Sequence, residues 1–268
     1  MAAIRRGQLL TKAVQIAILG SERTYRCSRE PSTMVGCPVR QAVEPFMYTM
    51  NKRPVIYDIS RTLGPETVIY PGDPAYRRTV VSALEKGDEC SLSKFEMGAH
   101  TGTHVDAPAH FIPDGMTLDQ YPPERFIVPS VVLDSTDAHC PTPEMLDRVF
   151  IPRGAAILFK TRNSITEEDS GGEFRENYVP LNEPLAQACL ARDVSMVGID
   201  ALSIDGPAET GHPVHHILLE RDVLILEGLS LHGVPEGSYM LYCLPLKLQG
   251  AEASPVRAVL VESEGSSG

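Results

Sequence analysis

The segment His100-Thr-Gly-Thr-His104-Val-Asp106-Ala-Pro-Ala-His110 brings three of the chain's eight histidines and one aspartate into eleven residues. The Thr-Gly-Thr sequence between the first two histidines and the later proline are poor helix formers, so we predict an extended segment. His100, His104 and Asp106 are separated by even numbers of residues, and a period of two places all three on one face of a strand. Gly102 would allow another backbone to approach closely, or would form a bulge.

This polar face has the composition of a metal site. Two imidazoles and a carboxylate suit zinc, manganese or iron(II), and they leave coordination positions open, as catalysis requires. The alternative is a set of buried, hydrogen-bonded histidines in a core strand, which would explain one such residue but not the cluster. His110 lies beyond a proline that turns the chain, and its imidazole suits a general acid/base beside the metal. The alternative for His110 is a further ligand.

A second cluster lies much later, in His212-Pro-Val-His215-His216 and at Glu227. Glu227 ends an apolar strand, where a buried carboxylate is costly unless it is paired or bound to a metal. Adjacent residues of a helix diverge by about 100°, so only one of His215 and His216 is expected to reach a metal. The residues alone do not choose between them.

Three further polar residues carry open alternatives. His212 either lines the pocket or has a purely structural place before Pro213. Asp200 and Asp205 either orient metal ligands from behind or cap turns.

Outside the clusters, short apolar runs bounded by turn signals predict more strands than helices. One predicted helix begins at Thr142, and two others cover 182–192 and 212–221. The predicted strands cover 55–59, 79–84, 130–134, 155–160, 195–199, 223–226, 239–244 and 256–261. Several strands follow one another directly, which favours a strand-rich α/β single domain with mixed sheets. We place this domain at 54–261, between an N-terminal extension of residues 1–53 and a flexible Ser/Gly-rich tail at 262–268.

Charge and hydropathy exclude two classes of partner. The net charge of −11 argues against a nucleic-acid partner, because phosphate contact needs a clustered basic surface. No apolar run is long enough to span a membrane. The six cysteines are scattered without a Cys-x-x-Cys pair, which favours free thiols over a disulfide framework.

Residues 1–53 differ in charge from the rest of the chain. They hold nine Lys or Arg against three Glu, a net of +6, which leaves −17 for the remainder of the total of −11. A basic, acid-poor leader with an apolar stretch is typical of a mitochondrial presequence. The alternative is a disordered extension, so we expect a mitochondrial or cytoplasmic location.

The motif His-x-Gly-Thr-His-x-Asp-x-Pro-x-His-Phe, starting at His100, resembles the signature of the cyclase-like metal-dependent hydrolase family, which includes bacterial kynurenine formamidase and isatin hydrolase. The resemblance covers most of residues 55–261, through Tyr70-Pro-Gly-Asp73, Gly198-Ile-Asp200 with Ser203-Ile-Asp205, His215-His216, Ile225-Leu-Glu227-Gly-Leu, and Leu244-Pro-Leu-Lys with Ser254-Pro-Val-Arg-Ala258. It implies a swivelling β/β/α fold, which agrees with the strand-rich prediction, and a homodimer.

The resemblance also implies a set of metal ligands. In the formamidase branch two metal ions share one site. His100 and His104 would then bind the first ion and His215 the second, while Asp106 and Glu227 would bridge both ions. Family spacing thus favours His215 over His216.

Three positions of the resemblance bear on the reaction. His110 corresponds to the family's catalytic acid/base. Tyr70 stands in the substrate pocket where the formamidases carry a tryptophan, and this chain contains no Trp. In the isatin hydrolase branch a glutamine replaces Glu227 and one manganese suffices, so the carboxylate favours the two-metal branch.

We therefore expect a metal-dependent amidohydrolase with a small-molecule substrate, N-formylkynurenine being the candidate, and with two zinc ions, or manganese, as cofactor. One alternative is a lactam or lactone hydrolase of the isatin type. The other is a metal-binding protein without turnover, against which the free acid/base at His110 argues.

Overall fold

The computed structural model describes residues 54–166 and 174–262. Within these ranges the strands are β1 (Ile56–Asp58), β2 (Arg77–Ser82), β3 (Leu92–Glu96), β4 (His104–Asp106), β5 (Ile127–Asp134), β6 (Ala156–Lys160), β7 (Met196–Ile199), β8 (Leu224–Glu227), β9 (Gly237–Tyr242), β10 (Ala253–Pro255) and β11 (Val259–Glu262). The α-helices are α1 (Asn163–Thr166), α2 (Glu183–Leu190) and α3 (Pro213–Leu219). Short 3₁₀ helices cover Leu84–Lys86, Pro108–His110, Leu118–Gln120, Pro123–Phe126 and Pro143–Asp147.

Nine of the strands form one mixed sheet in the order β1-β11-β9-β5-β6-β7-β8-β4-β10. The central strands β5, β6, β7 and β8 are parallel, and the outer pairs are antiparallel. Strands β2 and β3 form a separate antiparallel pair. The predicted strand-rich α/β domain with mixed sheets is therefore confirmed.

The alternation of side chains along the central strands divides the core between the two faces of the sheet. In β6, Ile157 and Phe159 pack with Leu185 of α2 and with α3, whereas Leu158 belongs to the cluster on the other face. All three side chains are fully buried. Because both faces are covered, the central strands are apolar throughout, as parallel strands in α/β folds are.

Asn182 and Thr142 begin two helical segments, as predicted. The Asn182 side chain accepts a hydrogen bond from the backbone N–H of Leu185 and so caps α2. The segment after Thr142 is the 3₁₀ helix Pro143–Asp147 rather than a longer helix.

The prediction of a continuous strand from His100 to Asp106 is wrong. Strand β4 contains only His104–Asp106, and the preceding residues form a turn. Gly102 in this turn has a φ of +68°, a left-handed conformation that interrupts a strand and that glycine adopts readily. His100 therefore reaches the site from a loop.

The C-terminal strand prediction was also incomplete. The structure has β10 at Ala253–Pro255 and β11 at Val259–Glu262, with an irregular segment between them. Residues 1–53, the predicted extension, and residues 263–268 of the predicted tail lie outside the described residues. Within residues 54–166 and 174–262, no helix has the length and hydropathy needed to cross a membrane.

Candidate metal centre

Two neighbouring strands, β4 and β8, bring the two polar clusters of the sequence together. In their antiparallel register His104 is the partner of Glu227, and Asp106 lies two positions further along β4. Side chains two residues apart on a strand share a face. The sheet therefore places two carboxylates and an imidazole from distant parts of the sequence on one buried surface.

The turns that flank these strands approach each other at the backbone. Gly228 follows β8 with a φ of +65°, and a Cβ atom on it would lie 2.3 Å from the carbonyl oxygen of Gly102. The Thr103 hydroxyl donates a hydrogen bond to the Gly228 carbonyl at 2.6 Å. The close backbone approach predicted at Gly102 is thus present, and its partner is another glycine.

Hydrogen bonds to the ring nitrogens that point away from the cluster orient the buried His104 and His215. Nδ1 of His104 donates to the carbonyl oxygen of Gly102 at 2.9 Å. Nδ1 of His215 donates to Oδ2 of Asp205 at 2.5 Å. Asp205 also accepts the backbone N–H groups of Val214 and His215, and so holds the start of α3. Both histidines therefore present Nε2 to the cluster, in the arrangement that metal-ligating histidines have.

Each of the two carboxylates points one oxygen towards His104 and the other towards His215. Oδ1 of Asp106 lies 3.4 Å from Nε2 of His104, and its Oδ2 lies 3.8 Å from Nε2 of His215. Oε2 of Glu227 lies 3.3 Å from Nε2 of His104, and its Oε1 lies 3.2 Å from Nε2 of His215. Tetrahedral zinc with ligands at about 2.1 Å separates neighbouring ligand atoms by about 3.4 Å. The observed spacing matches that value.

Several polar atoms of this cluster make no hydrogen bond within the described part of the chain. Both carboxylate oxygens of Asp106 and Nε2 of His104 and His215 are buried without a partner in hydrogen-bond geometry among the described residues. Buried polar atoms normally have hydrogen-bond partners, and buried charges are paired or bind metals. The chemistry of this donor set, two imidazole nitrogens and two carboxylates, therefore fits a divalent cation.

The charges of the cluster also fit a cation. Burial would lower the pKa of His104, but the negative charges of Asp106 and Glu227 outweigh burial and raise it to about 9. The same carboxylates, together with Asp205, raise the pKa of His215 well above its usual value against the effect of burial. The two carboxylates thus hold protons on both imidazoles, and a divalent cation would displace them.

His100 and His110 stand on the other side of Asp106. Nδ1 of His100 lies 2.9 Å from Oδ1 of Asp106. The His110 ring stacks on the His100 ring, with 4.0 Å between centroids. One nitrogen of each histidine and one oxygen of Asp106 lie within 4.8 Å of one another. Burial lowers the pKa of His110 to about 4, so this imidazole is neutral at pH 7 and can accept a proton.

An open cleft of about 200 Å³ lies in front of the cluster. Its lining comprises Val68, Tyr70, Asp73, His100, His110, Phe111, Leu202, Ser203, His212, His215 and Glu227. Tyr70 makes an edge contact with Phe174, with 5.2 Å between ring centroids. The predicted substrate-pocket residue Tyr70 therefore lies in the same cleft as the predicted ligands.

Comparison with known proteins shows the family of this chain. A family model described as a putative cyclase matches residues 57–206, more than half of the chain. The chain belongs to this cyclase family. A kynurenine formamidase from Salinibacter ruber (strain DSM 13855 / M31) is 39% identical over 209 residues, which are 76% of this chain and 96% of that protein.

Solved structures of the cyclase family share the fold. A structure described as a potential metal-dependent hydrolase with cyclase activity is 32% identical, with a TM-score of 0.68 over 79% of this chain and 100% of the other. An isatin hydrolase A from Labrenzia aggregata has a TM-score of 0.69 and covers 79% of this chain and 94% of its own, but at 24% identity the likeness concerns the fold alone.

The structure distinguishes residues that the sequence left as alternatives. His215 is buried and faces the carboxylates, whereas His216 is 41% exposed and lies near Glu220. Asp205 orients His215. Asp200 instead accepts hydrogen bonds from backbone and hydroxyl groups of residues 161–164, and so fixes a turn. His212 lines the cleft.

The structure thus brings together every residue predicted for the site: His100, His104, Asp106, His110, His215, Glu227 and Tyr70. Their roles as ligands, acid/base and substrate contact remain predictions. Sequence reasoning gave no role to Phe111, which contacts His110 and His215, or to Phe174. Phe111 is the last residue of the motif that starts at His100, and this position was the available signal.

Proposed function

We propose that this protein is a metal-dependent hydrolase that cleaves the carbon–nitrogen bond of an aryl formamide, with N-formylkynurenine as the candidate substrate. The observation that carries the proposal is the buried set of His104, Asp106, His215 and Glu227, in which Nε2 of each histidine lies 3.2–3.8 Å from an oxygen of each carboxylate. The likeness to a kynurenine formamidase over 96% of that protein supports the choice of substrate.

We further propose two zinc ions, or manganese, for each chain. Asp106 and Glu227 each present one oxygen to His104 and one to His215, which supports two ions that these four residues would hold. His100 would complete the first site. Divalent cations held in this way polarise a carbonyl group and lower the pKa of water.

His110 supplies the proton transfers of the proposed reaction. Its neutral ring accepts a proton from the attacking water as the new carbon–oxygen bond forms. It then returns a proton to the amide nitrogen as the carbon–nitrogen bond breaks, which releases the amine and formate. Packing against His100 and Phe111, with 4.0 and 4.2 Å between ring centroids, holds the His110 ring in place.

Asp205 and the backbone of Gly102 position the ligands for this chemistry. Their hydrogen bonds to Nδ1 of His215 and of His104 fix which ring nitrogen faces the cleft. The apolar and aromatic lining, with Val68, Tyr70 and Phe111, suits an aromatic ring beside the scissile amide.

A homodimer is part of the proposal. Apolar side chains of the β2–β3 hairpin and of the turn between its strands are at least 46% exposed: Val80, Val81, Leu84, Leu92 and Phe95. A second copy could bury them, since exposed apolar patches mark interaction surfaces. Light scattering on the purified protein tests the oligomeric state.

Hydrolysis assays with added zinc or manganese test the function. We expect turnover of N-formylkynurenine and little or none of isatin. Turnover of isatin alone would instead support the lactam hydrolase, and tight metal binding without turnover of either compound would support a metal-binding protein.

A further inference from the structure

His212 occupies an unfavourable backbone conformation at the edge of the cleft. It precedes α3 with a φ of 48° and a ψ of 57°, in the left-handed region that residues other than glycine seldom adopt. The following residue, Pro213, further restricts the backbone of His212 towards extended conformations. Backbone strain of this kind concentrates at functional sites.

A row of aromatic rings connects His212 with the candidate metal centre. The His110 ring contacts Phe111 at 4.2 Å, and Phe111 contacts His212 at 4.9 Å between centroids. His212 and His110 both line the cleft. A substrate with its scissile amide beside His110 would therefore have another part of its structure beside His212.

The His212 ring is free to bind a ligand. Across residues 54–166 and 174–262, no group is hydrogen-bonded to this ring. Ring nitrogens of His212 and His215 and a carboxylate oxygen of Asp205 lie within 4.8 Å of one another, but Asp205 and Nδ1 of His215 already bind each other. The other three histidines of the cleft wall, His100, His110 and His215, belong to the cluster around Asp106.

We propose that His212 is a specificity-determining residue that donates a hydrogen bond from its ring to an oxygen acceptor of the substrate outside the scissile amide. The inference rests on the proposed function for the position of that amide. It defines the ligand class as aromatic amides, and their amine products, that carry a ketone or carboxylate oxygen. The N–H group of the His212 ring would bind this oxygen and so select the substrate, without taking part in bond cleavage.

Ligand binding tests this role separately from turnover. Calorimetry on the metal-loaded protein would compare kynurenine, which has a ketone and a carboxylate, with 2-aminoacetophenone, which has only the ketone. We expect His212→Ala to weaken binding about 3- to 10-fold, the effect of losing one hydrogen bond. His212→Asn, which keeps an N–H donor and tolerates the left-handed region, should retain part of the affinity.

The control is His232→Ala, which removes an exposed histidine and should leave both affinities unchanged. A loss for both ligands assigns the ketone as the acceptor, and a loss for kynurenine alone assigns the carboxylate. Unchanged affinities in His212→Ala, or no binding of either ligand to the parent protein, would overturn the inference. Failure of the proposed function would be seen separately, as absence of amide turnover by the parent.

A glycine variant separates recognition from a structural role. His212→Gly relieves the left-handed strain, since glycine adopts this region freely, so we expect its Tm and metal content to equal or exceed those of the parent. Its affinity for kynurenine should still fall as in His212→Ala. A lower Tm or a loss of metal in the glycine variant would show that His212 acts on the fold, and would contradict the inference.

Discussion

Asp106 and Glu227 place two carboxylates inside the protein beside the predicted histidine ligands. Each is almost completely buried, and burying a charge is costly unless a partner compensates it. Two imidazoles on the same surface compensate part of the negative charge, and a divalent cation would compensate the rest. Oε1 of Glu227 accepts a hydrogen bond from the backbone N–H of Ile204. Both carboxylate oxygens of Asp106 and Nε2 of His104 and His215 have no hydrogen-bond partner among the described residues. The cluster is therefore better explained as a binding site than as a structural network.

Replacing His110 separates proton transfer from metal binding. We expect His110→Ala to retain the metal content of the parent and to lose about 10²- to 10⁴-fold in kcat, the usual contribution of a general acid/base. Metal analysis and steady-state kinetics on the same preparation check both parts. A variant with less metal than the parent would show that His110 is a ligand. His104→Ala is the contrast, since it should lose metal and activity together.

Removing the charge behind His215 tests how the ligand is positioned. Asp205→Asn keeps the size of the side chain but replaces the carboxylate that accepts the hydrogen bond from Nδ1 of His215. We expect metal affinity to fall by about 10- to 100-fold, the usual effect of changing such a partner. Asp200→Asn is the control, because that buried carboxylate binds residues 161–164 and none of the predicted ligands. Equal metal affinities in Asp205→Asn and the parent would contradict the positioning role.

At the scale of elements, the pairing of β4 with β8 assembles the site, and the two glycine turns allow it. A methyl group at position 228 would meet the Gly102 carbonyl at 2.3 Å and would occupy a left-handed conformation. We expect Gly228→Ala to lower the free energy of unfolding by at least about 2 kcal/mol, since clash and strain add.

Gly154→Ala provides a matched control for that prediction. Gly154 also has a positive φ, of +74°, but a Cβ atom there would have no neighbour within 4 Å. Its cost is therefore the backbone conformation alone, about 1 kcal/mol. Denaturant titration of both variants measures the difference. Equal losses would mean that the close approach of Gly102 and Gly228 does not constrain the site.

Short apolar runs and residue spacing in the sequence were enough to predict many of the strands and part of the site. Strands such as β6 and β7 are short apolar runs, and even spacing correctly placed His104 and Asp106 on one face. The same rule failed at His100, because Gly102 adopts a left-handed conformation that ends the extended segment, and residue spacing alone does not reveal such a turn. The choice of His215 over His216 followed from family spacing and not from helix geometry, which only required one of the two.

The convergence of the cleft could not be predicted from local pattern at all. Phe111, Phe174 and His212 come from three separate loops that the sheet topology brings together. A sequence indicates such residue types but not their distances. Asp205 remained ambiguous for the same reason, since its role depends on where α3 begins relative to β8.

At the scale of the whole molecule, metal binding and folding should be coupled. A ligand that binds only the folded state at about 100 times its Kd stabilises that state by about 2.7 kcal/mol. For a domain of this size we expect metal removal by a chelator to lower the Tm by about 5–10 °C. Thermal unfolding with and without chelator, followed by re-addition of zinc, measures the shift. A Tm that does not respond would indicate that no cation occupies the buried cluster.

The most direct test of the central claim is the number of metal ions bound per chain. Protein purified without chelator and dialysed against zinc would be analysed for metal content, together with Glu227→Gln, which removes one of the two carboxylates proposed to hold both ions. We expect two ions per chain in the parent and no more than one in the variant. A parent protein that retains no metal would contradict the assignment of His104, Asp106, His215 and Glu227 as a metal centre.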